Sequence, residues 1–276
     1  MTQQRLITLN DGKLMPQVGL GVWQTPADEA ERAVGTALAA GYRHIDTAAV
    51  YENEREVGAG IAASGVPRGE IFLTTKLWND DQGFDSALRA FDQSLARLGT
   101  DYVDLYLIHW PAPSKNLYAE SWKALLRLKE KGRARSIGVS NFGPAQIRRL
   151  IDETGVTPVL NQIELHPRFQ QKENRAFHAS LGIATESWSP LGQGTLLNDP
   201  VIGGIAARHG KTPAQVIIRW HIENGLIVIP KSVTPSRIIS NFDVFGFTLA
   251  EDDMAAIGAL DDEGGRTGPD PMTATF

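Results

Sequence analysis

Residues 83–110, GFDSALRAFDQSLARLGTDYVDLYLIHW, hold the unit on which the rest of the chain is patterned. Phe84, Leu88, Phe91, Leu95 and Leu98 recur at alternating steps of four and three, which sets them along one face of a helix. A turn follows, and residues 102–109 then form a short, apolar, β-rich run of strand length. Runs of the same kind stand at 18–22, 42–46, 71–76, 135–140, 159–164, 183–187 and 226–229, which makes eight strand candidates. Helix punctuation fills the intervals. Thr25-Pro26 precedes 27–40 and Gly41 follows it, reading as an N-cap, a proline at the first helical position and a C-terminal glycine. Asn53 with Glu56 opens another helix in capping-box style, and Thr212-Pro213 to Gly225 has the same start and stop chemistry. The last strand interval is long enough for two helices, 200–209 and 213–224.

Alternating strands and helices mean parallel strands joined by helical crossovers. Eight such units in a chain of 276 residues fit an α/β fold of the closed (β/α)8 TIM-barrel type better than an open doubly wound sheet. At the front, 6–9, the turn Asn10-Asp11-Gly12 and 13–15 read as an added N-terminal β-hairpin. No linker composition or charge shift divides the chain, so 1–276 is expected to form one domain. With 42% hydrophobic and 21% charged residues it has the profile of a soluble globular protein. Its 27 Lys plus Arg face 32 Asp plus Glu with no block of like charge, which argues against nucleic-acid and membrane-surface binding. The lack of cysteine excludes disulfides, thiolate metal sites and cysteine nucleophiles. Residues 1–10 lack a signal peptide's apolar core and no run is long enough to span a bilayer, so the expected location is cytoplasmic.

In such barrels chemistry sits at the carboxyl ends of the strands. The second run ends in Asp46, with Tyr51 in the loop beyond it; the third ends in Lys76 and the fourth in His109. Any one of these alone reads as a cap, a solvated loop residue or a packed imidazole. Together they place an acid, a phenol, an ammonium and an imidazole at one level of three adjacent strands, where buried charges need partners. An ammonium beside a phenol lowers the phenol's pKa, which makes Tyr51 a candidate general acid toward a developing alkoxide. A neutral His109 would orient the same oxygen, and Asp46 would hold Lys76 charged and in place.

The segments GYRHIDTA (41–48), KLW (76–78), DLYLIHWP (104–111), GVSNF (138–142), NQIELHP (161–167) and IPKS (229–232) together resemble the aldo-keto reductase superfamily, in order and across the chain. SWSPLGQG (187–194) and the short tail resemble its prokaryotic 2,5-diketo-D-gluconate reductase branch. The resemblance implies Asp46, Tyr51, Lys76 and His109 as a catalytic tetrad, and a nicotinamide cofactor, NADPH, bound without a Rossmann fold. Consistent with that, neither Gly19-Leu20-Gly21 nor Gly192-Gln193-Gly194 completes a G-x-G-x-x-G fingerprint. By the same resemblance Ser140, Asn141 and Gln162 would bind the nicotinamide carboxamide and Trp188 would stack on its ring. Ser189, Leu191, Gly192 and Gln193 would line the pyrophosphate with backbone amides. Lys231, Ser232, Val233, Thr234 and Arg237, at a helix start with nearby cations, would take the 2′-phosphate. Asn241 matches an adenine-side position, whereas Ser240 stands where many relatives carry Glu. Trp23, Val50, Trp78, Trp110 and His109 are the candidate lining for a small carbonyl substrate, aldehyde or ketone, keto-sugar acid or dicarbonyl. His44 and Asp46 have an H-x-D spacing, but no metal site is expected and His44 reads as a residue inside the barrel. Two other readings stay open: a cofactor-binding regulatory module with little turnover, and a lyase forming a Schiff base on Lys76. No apolar helix face asks for a partner, so a monomer is expected.

Overall fold

β1 (Leu6–Thr8) and β2 (Leu14–Pro16) form the expected hairpin, antiparallel with Ile7 opposite Met15. It is more than a local addition. Leu9 and Met15 are buried with Leu105, Leu107, Leu160 and Ile227, so the hairpin closes the amino-terminal end of the barrel with apolar side chains. Asp11 fastens it from outside, accepting from Lys129 Nζ and Ser136 Oγ, each at 2.9 Å. The computed structural model describes residues 4–275; residues 1–3 and 276, the ends of the expected 1–276 domain, lie outside the described residues.

Eight parallel strands follow in chain order: β3 (Leu20–Gly21), β4 (His44–Asp46), β5 (Phe72–Leu77), β6 (Val103–Ile108), β7 (Ala134–Ser140), β8 (Leu160–Glu164), β9 (Ala184–Trp188) and β10 (Ile227–Val228). Each neighbours the next. The first and last meet through the parallel bridges Val18 to Val228 and Gly21 to Lys231, with Gly19 N donating to Val228 O at 2.9 Å. These contacts close the sheet into a barrel, and the open-sheet alternative falls. The short ladders of β3 and β10 reflect that seam, made of single bridges.

Around the barrel run α1 (Ala27–Ala40), α2 (Glu54–Ala63), α3 (Phe84–Leu98), α4 (Tyr118–Glu130), α5 (Pro144–Thr154), α6 (Lys172–Ser180), α7 (Pro200–His209), α8 (Pro213–Glu223), α9 (Pro235–Phe242) and α10 (Glu251–Gly258). In α3 the buried face is Ala87, Ala90, Phe91, Ser94, Leu95 and Leu98, while Phe84 is exposed. Leu88 packs half-buried against the same core, so the expected stripe holds except at Phe84 and widens to take in Ala87, Ala90 and Ser94. Thr212 and Gln215 form the capping box of α8. Two other caps differ from expectation. Pro26, not Thr25, stands before α1, and Thr25 is buried. Asn53 does not cap α2: its amide donates to Val22 O and Thr25 O, and its carbonyl accepts from Thr47 Oγ1 at 2.9 Å. It ties the loop after β3 to the loop after β4. No described helix is long and apolar enough to cross a membrane.

Candidate active site

Parallel pairing sets Asp46 of β4 beside Thr74 of β5, and Lys76 of β5 beside Leu107 of β6, so the strand ends advance together around one rim. Lys76 Nζ donates to Asp46 Oδ1 at 2.6 Å and to Thr47 O at 2.8 Å, with both side chains buried. The same ammonium lies 5.1 Å from the centre of the Tyr51 ring, and Tyr51 meets His109 edge to face at 5.6 Å. Three strands and a single 3-10 turn, Ala49–Tyr51, therefore bring the four expected residues together.

Burial is the largest single influence on Lys76 and would neutralise it, but the charge and hydrogen bond of Asp46, with the neighbouring Tyr51 and Glu186, together outweigh it and hold the ammonium above its ordinary range. Burial likewise pushes Asp46 up, opposed by Lys76 and by an N–H from Gln162. His109 is held well below its usual value by burial and by the charge of Lys76, so it is neutral at physiological pH as expected. Tyr51 corrects the expectation: it is raised, not lowered, because burial outweighs the pull of Lys76. The phenol is protonated at neutral pH, the state a proton donor requires.

Beyond the four, Ser140 and Gln162 are paired across β7 and β8, and Ser140 Oγ donates to Gln162 O. Asn141 Nδ2 donates to His109 O at 3.0 Å, while its Oδ1 accepts from Trp188 Nε1 at 2.8 Å. Of the candidate carboxamide and stacking residues, Asn141 and Gln162 thus bond the tetrad directly, Gln162 through Asp46, while Ser140 and Trp188 reach it through them. Trp78 and Trp110 flank His109, with ring centres at 5.3 and 6.4 Å. Trp23 and Val50 lie on loops of the same rim but are exposed. In the segment after β9, Ser189 and Gln193 hold left-handed backbones and Gly192 N bonds to Ser189 O, so that amide is already used and fewer remain for a phosphate than expected. At the start of α9, Thr234 makes no side-chain cap and Ser232 Oγ accepts from Thr234 N. Lys231 and Arg237 are exposed there, and neither makes an ion pair with another described residue. An uncapped helix start with two unpaired cations fits a phosphate group. Asn241 is buried on the same helix and Ser240 Oγ turns back to Arg237 O.

Residues 15–262 match the Aldo/keto reductase family. The chain belongs to that family. An aldo-keto reductase of Mycolicibacterium smegmatis is 65% identical over 270 residues, 98% of each chain. Methylglyoxal reductase DkgA of Escherichia coli is 52% identical over 273 residues, again 98% of each. Among solved structures, a variant of Gox0644 in complex with NADPH is 56% identical, with a TM-score of 0.96, covering 99% of this chain and all of that one.

Two features of this aldo/keto reductase had no counterpart in the motif reading. Glu164, the last residue of β8, accepts from Thr267 N and Oγ1 at 2.6 Å and from Gly268 N at 3.0 Å, which straps the C-terminal segment to the rim. A side chain at Gly268 would come within 2.4 Å of the Trp188 ring, so the strap passes directly against that indole. The second is Glu186 of β9, buried below the rim, whose Oε2 accepts from Gln162 Nε2 at 2.7 Å while Asp46 Oδ2 accepts from the same nitrogen at 2.9 Å. His44 sits inside the barrel as read. Its Nε2 is 3.6 Å from Glu186 Oε1, and it fits only because Gly19 has no Cβ, which would lie 2.3 Å from Nδ1. His166, the other imidazole weighed for a metal, bonds Glu164 instead. His44, Asp46 and Glu186 offer atoms within 4.8 Å of one another, but Asp46 is committed to the Lys76 ammonium.

Proposed function

We propose that this chain is an NADPH-dependent reductase that converts small aldehydes and ketones to alcohols, with Tyr51 as the proton donor. The observation that carries this reading is the buried Asp46–Lys76 pair beneath the Tyr51 ring, with a neutral His109 at its edge. The bound nicotinamide supplies a hydride to the carbonyl carbon. Tyr51 gives its proton to the carbonyl oxygen, and the phenolate left behind faces the Lys76 charge, which stabilises it. His109, neutral, donates a hydrogen bond to the same oxygen and orients it. Ser140, Asn141 and Gln162 hold the carboxamide, Trp188 backs the ring, and Lys231, Ser232, Val233, Thr234 and Arg237 hold the 2′-phosphate. The NADPH complex of the Gox0644 variant, similar along the whole chain, supports the cofactor.

Trp78 and Trp110 around His109 make an apolar wall beside the proposed proton donor. Together with the likeness to a methylglyoxal reductase this favours small dicarbonyls over keto-sugar acids. We read 1–276 as one domain, working as a monomer in the cytoplasm with neither nucleic acid nor membrane as partner. A Schiff base needs a free amine, whereas Lys76 is held as an ammonium by Asp46 and Thr47 O, so the lyase reading has no support in the geometry. A regulatory module would not need all four residues. Loss of NADPH absorbance with methylglyoxal, and with 2,5-diketo-D-gluconate for comparison, tests the proposal. Turnover with the dicarbonyl and a clear preference over NADH are expected; no oxidation of NADPH with any carbonyl would overturn it.

A further inference from the structure

Gln162 Nε2 has two hydrogens, and two carboxylates take them, Asp46 Oδ2 and Glu186 Oε2. The amide's orientation is therefore set: the nitrogen faces into the barrel and Oε1 is left as an acceptor on the other side. Beneath the rim two acids thus share one amide, with Lys76, bonded to Asp46, as the single cation there among the described residues. The groups facing Glu186 are His44 and Asp46 from β4, Tyr51 from the loop beyond it, and Lys76 from β5. Its strand neighbours Gln162 and Ile227 carry no charge. Two ionised carboxylates on one amide with one ammonium would leave an uncompensated buried anion.

We propose that Glu186 is a positioning residue for the reaction: as a neutral acid below the rim it shares the Gln162 amide with Asp46, turns Gln162 Oε1 toward the cofactor's carboxamide, and keeps the barrel floor at one negative charge opposite Lys76. This rests on the reductase reading of the site. Burial and the Asp46 charge push Glu186 up to about 8, and burial holds His44 down at about 3, so the proton resides on the carboxyl and not on the imidazole. Among the described residues Glu186 Oε1 and His44 Nδ1 have no hydrogen-bond partner, and Oε1, the carboxyl oxygen not taken by Gln162 and so free to carry the proton, lies 3.6 Å from His44 Nε2, which itself is 3.4 Å from Thr74 Oγ1. When Glu186 ionises, a second anion lies one amide away from the nicotinamide site, and that favours the cationic, oxidised cofactor over the neutral, reduced one.

The ratio of NADP+ to NADPH dissociation constants isolates this effect, because both forms carry the same phosphates. Titrated by tryptophan quenching from pH 6.5 to 9.5, the wild-type ratio should shift toward NADP+ as pH rises through about 8. Glu186→Gln, which keeps an acceptor for Gln162 but cannot ionise, should give a flat ratio. Glu186→Leu, which removes the acceptor, should weaken both cofactors about tenfold at every pH, and Glu186→Gln should restore most of that loss. Infrared spectra of the cofactor-free protein should show a protonated buried carboxyl that disappears in Glu186→Gln. A ratio with the same pH dependence in wild type and Glu186→Gln, or no carboxyl band lost on substitution, would overturn the proposal. If the wild type bound neither cofactor, the reductase reading would fail, while the infrared band would still decide where the proton lies.

Discussion

At the scale of single residues the site depends on one buried ion pair. Replacing Lys76 by Met strands the Asp46 carboxylate with Gln162 as its remaining donor, an uncompensated buried charge costing about 3–5 kcal/mol. The Lys76→Met variant should therefore be less stable to urea by that order and inactive. Adding Asp46→Asn should recover much of the stability and none of the turnover; recovery of both would show that the pair only supports the fold. The cations at the start of α9 act differently, since Arg237 is exposed and pairs with no described acid. Arg237→Ala should weaken NADPH about tenfold while leaving NADH unchanged, because one charge-assisted bond to the 2′-phosphate is lost. Paired dissociation constants at fixed ionic strength check this. Equal losses for both cofactors would mean that Arg237 reads something other than the phosphate.

Among the elements, the C-terminal strap is the one whose removal the site should feel. In Gly268→Ala the new methyl would collide with Trp188, so either the strap leaves Glu164 or the indole turns from Asn141. NADPH affinity should fall several-fold with a change in tryptophan emission, and wild-type values for both would contradict this account. Nothing local in the sequence marks the strap, because Glu164 and Gly268 are far apart in the chain and meet only in the closed barrel. Strand ends are the opposite case. Asp46, Lys76 and His109 each terminate an apolar run, and parallel pairing then requires them to share a rim, so these three were legible from spacing, whereas Tyr51 lies in the loop beyond Asp46 and the grouping of all four as a tetrad came from the family resemblance. Glu186 also lies in a strand, but as an inward residue amid ATESW its role depends on Gln162 across the ladder. Asn53 misled for a related reason: it stands where a cap stands, yet its amide answers to backbone carbonyls of another loop.

For the whole molecule, buried histidines set the acid limit of stability. Burial holds His44 at about 3, His178 and His221 at about 4, and His109 well below its ordinary range. Their folded values lie below the unfolded value of about 6.5, so their contribution is complete above that pH and is lost as pH falls. Glu186, raised to about 8, works the other way: what it adds is present below its unfolded value and is lost as pH rises through 8. It offsets one histidine between roughly pH 4.5 and 6.5. Near pH 5.5 unfolding should then take up protons on balance, and the unfolding free energy should fall as pH drops from 7 to 5. Urea titrations at pH 7, 6 and 5 check this, and a flat profile would contradict it. The barrel's closure, which the hairpin and the β3–β10 seam complete, keeps His44 and Glu186 from water while leaving Tyr51 at the rim, and His178 on α6 and His221 on α8 are covered where those helices pack on the sheet. That placement of Tyr51 is the central claim. Single-turnover oxidation of bound NADPH by methylglyoxal, compared in wild type and Tyr51→Phe, tests it most directly. The substitution should slow the hydride step by about 10²–10⁴-fold with NADPH affinity unchanged, whereas a hydride step of wild-type speed in Tyr51→Phe would contradict it.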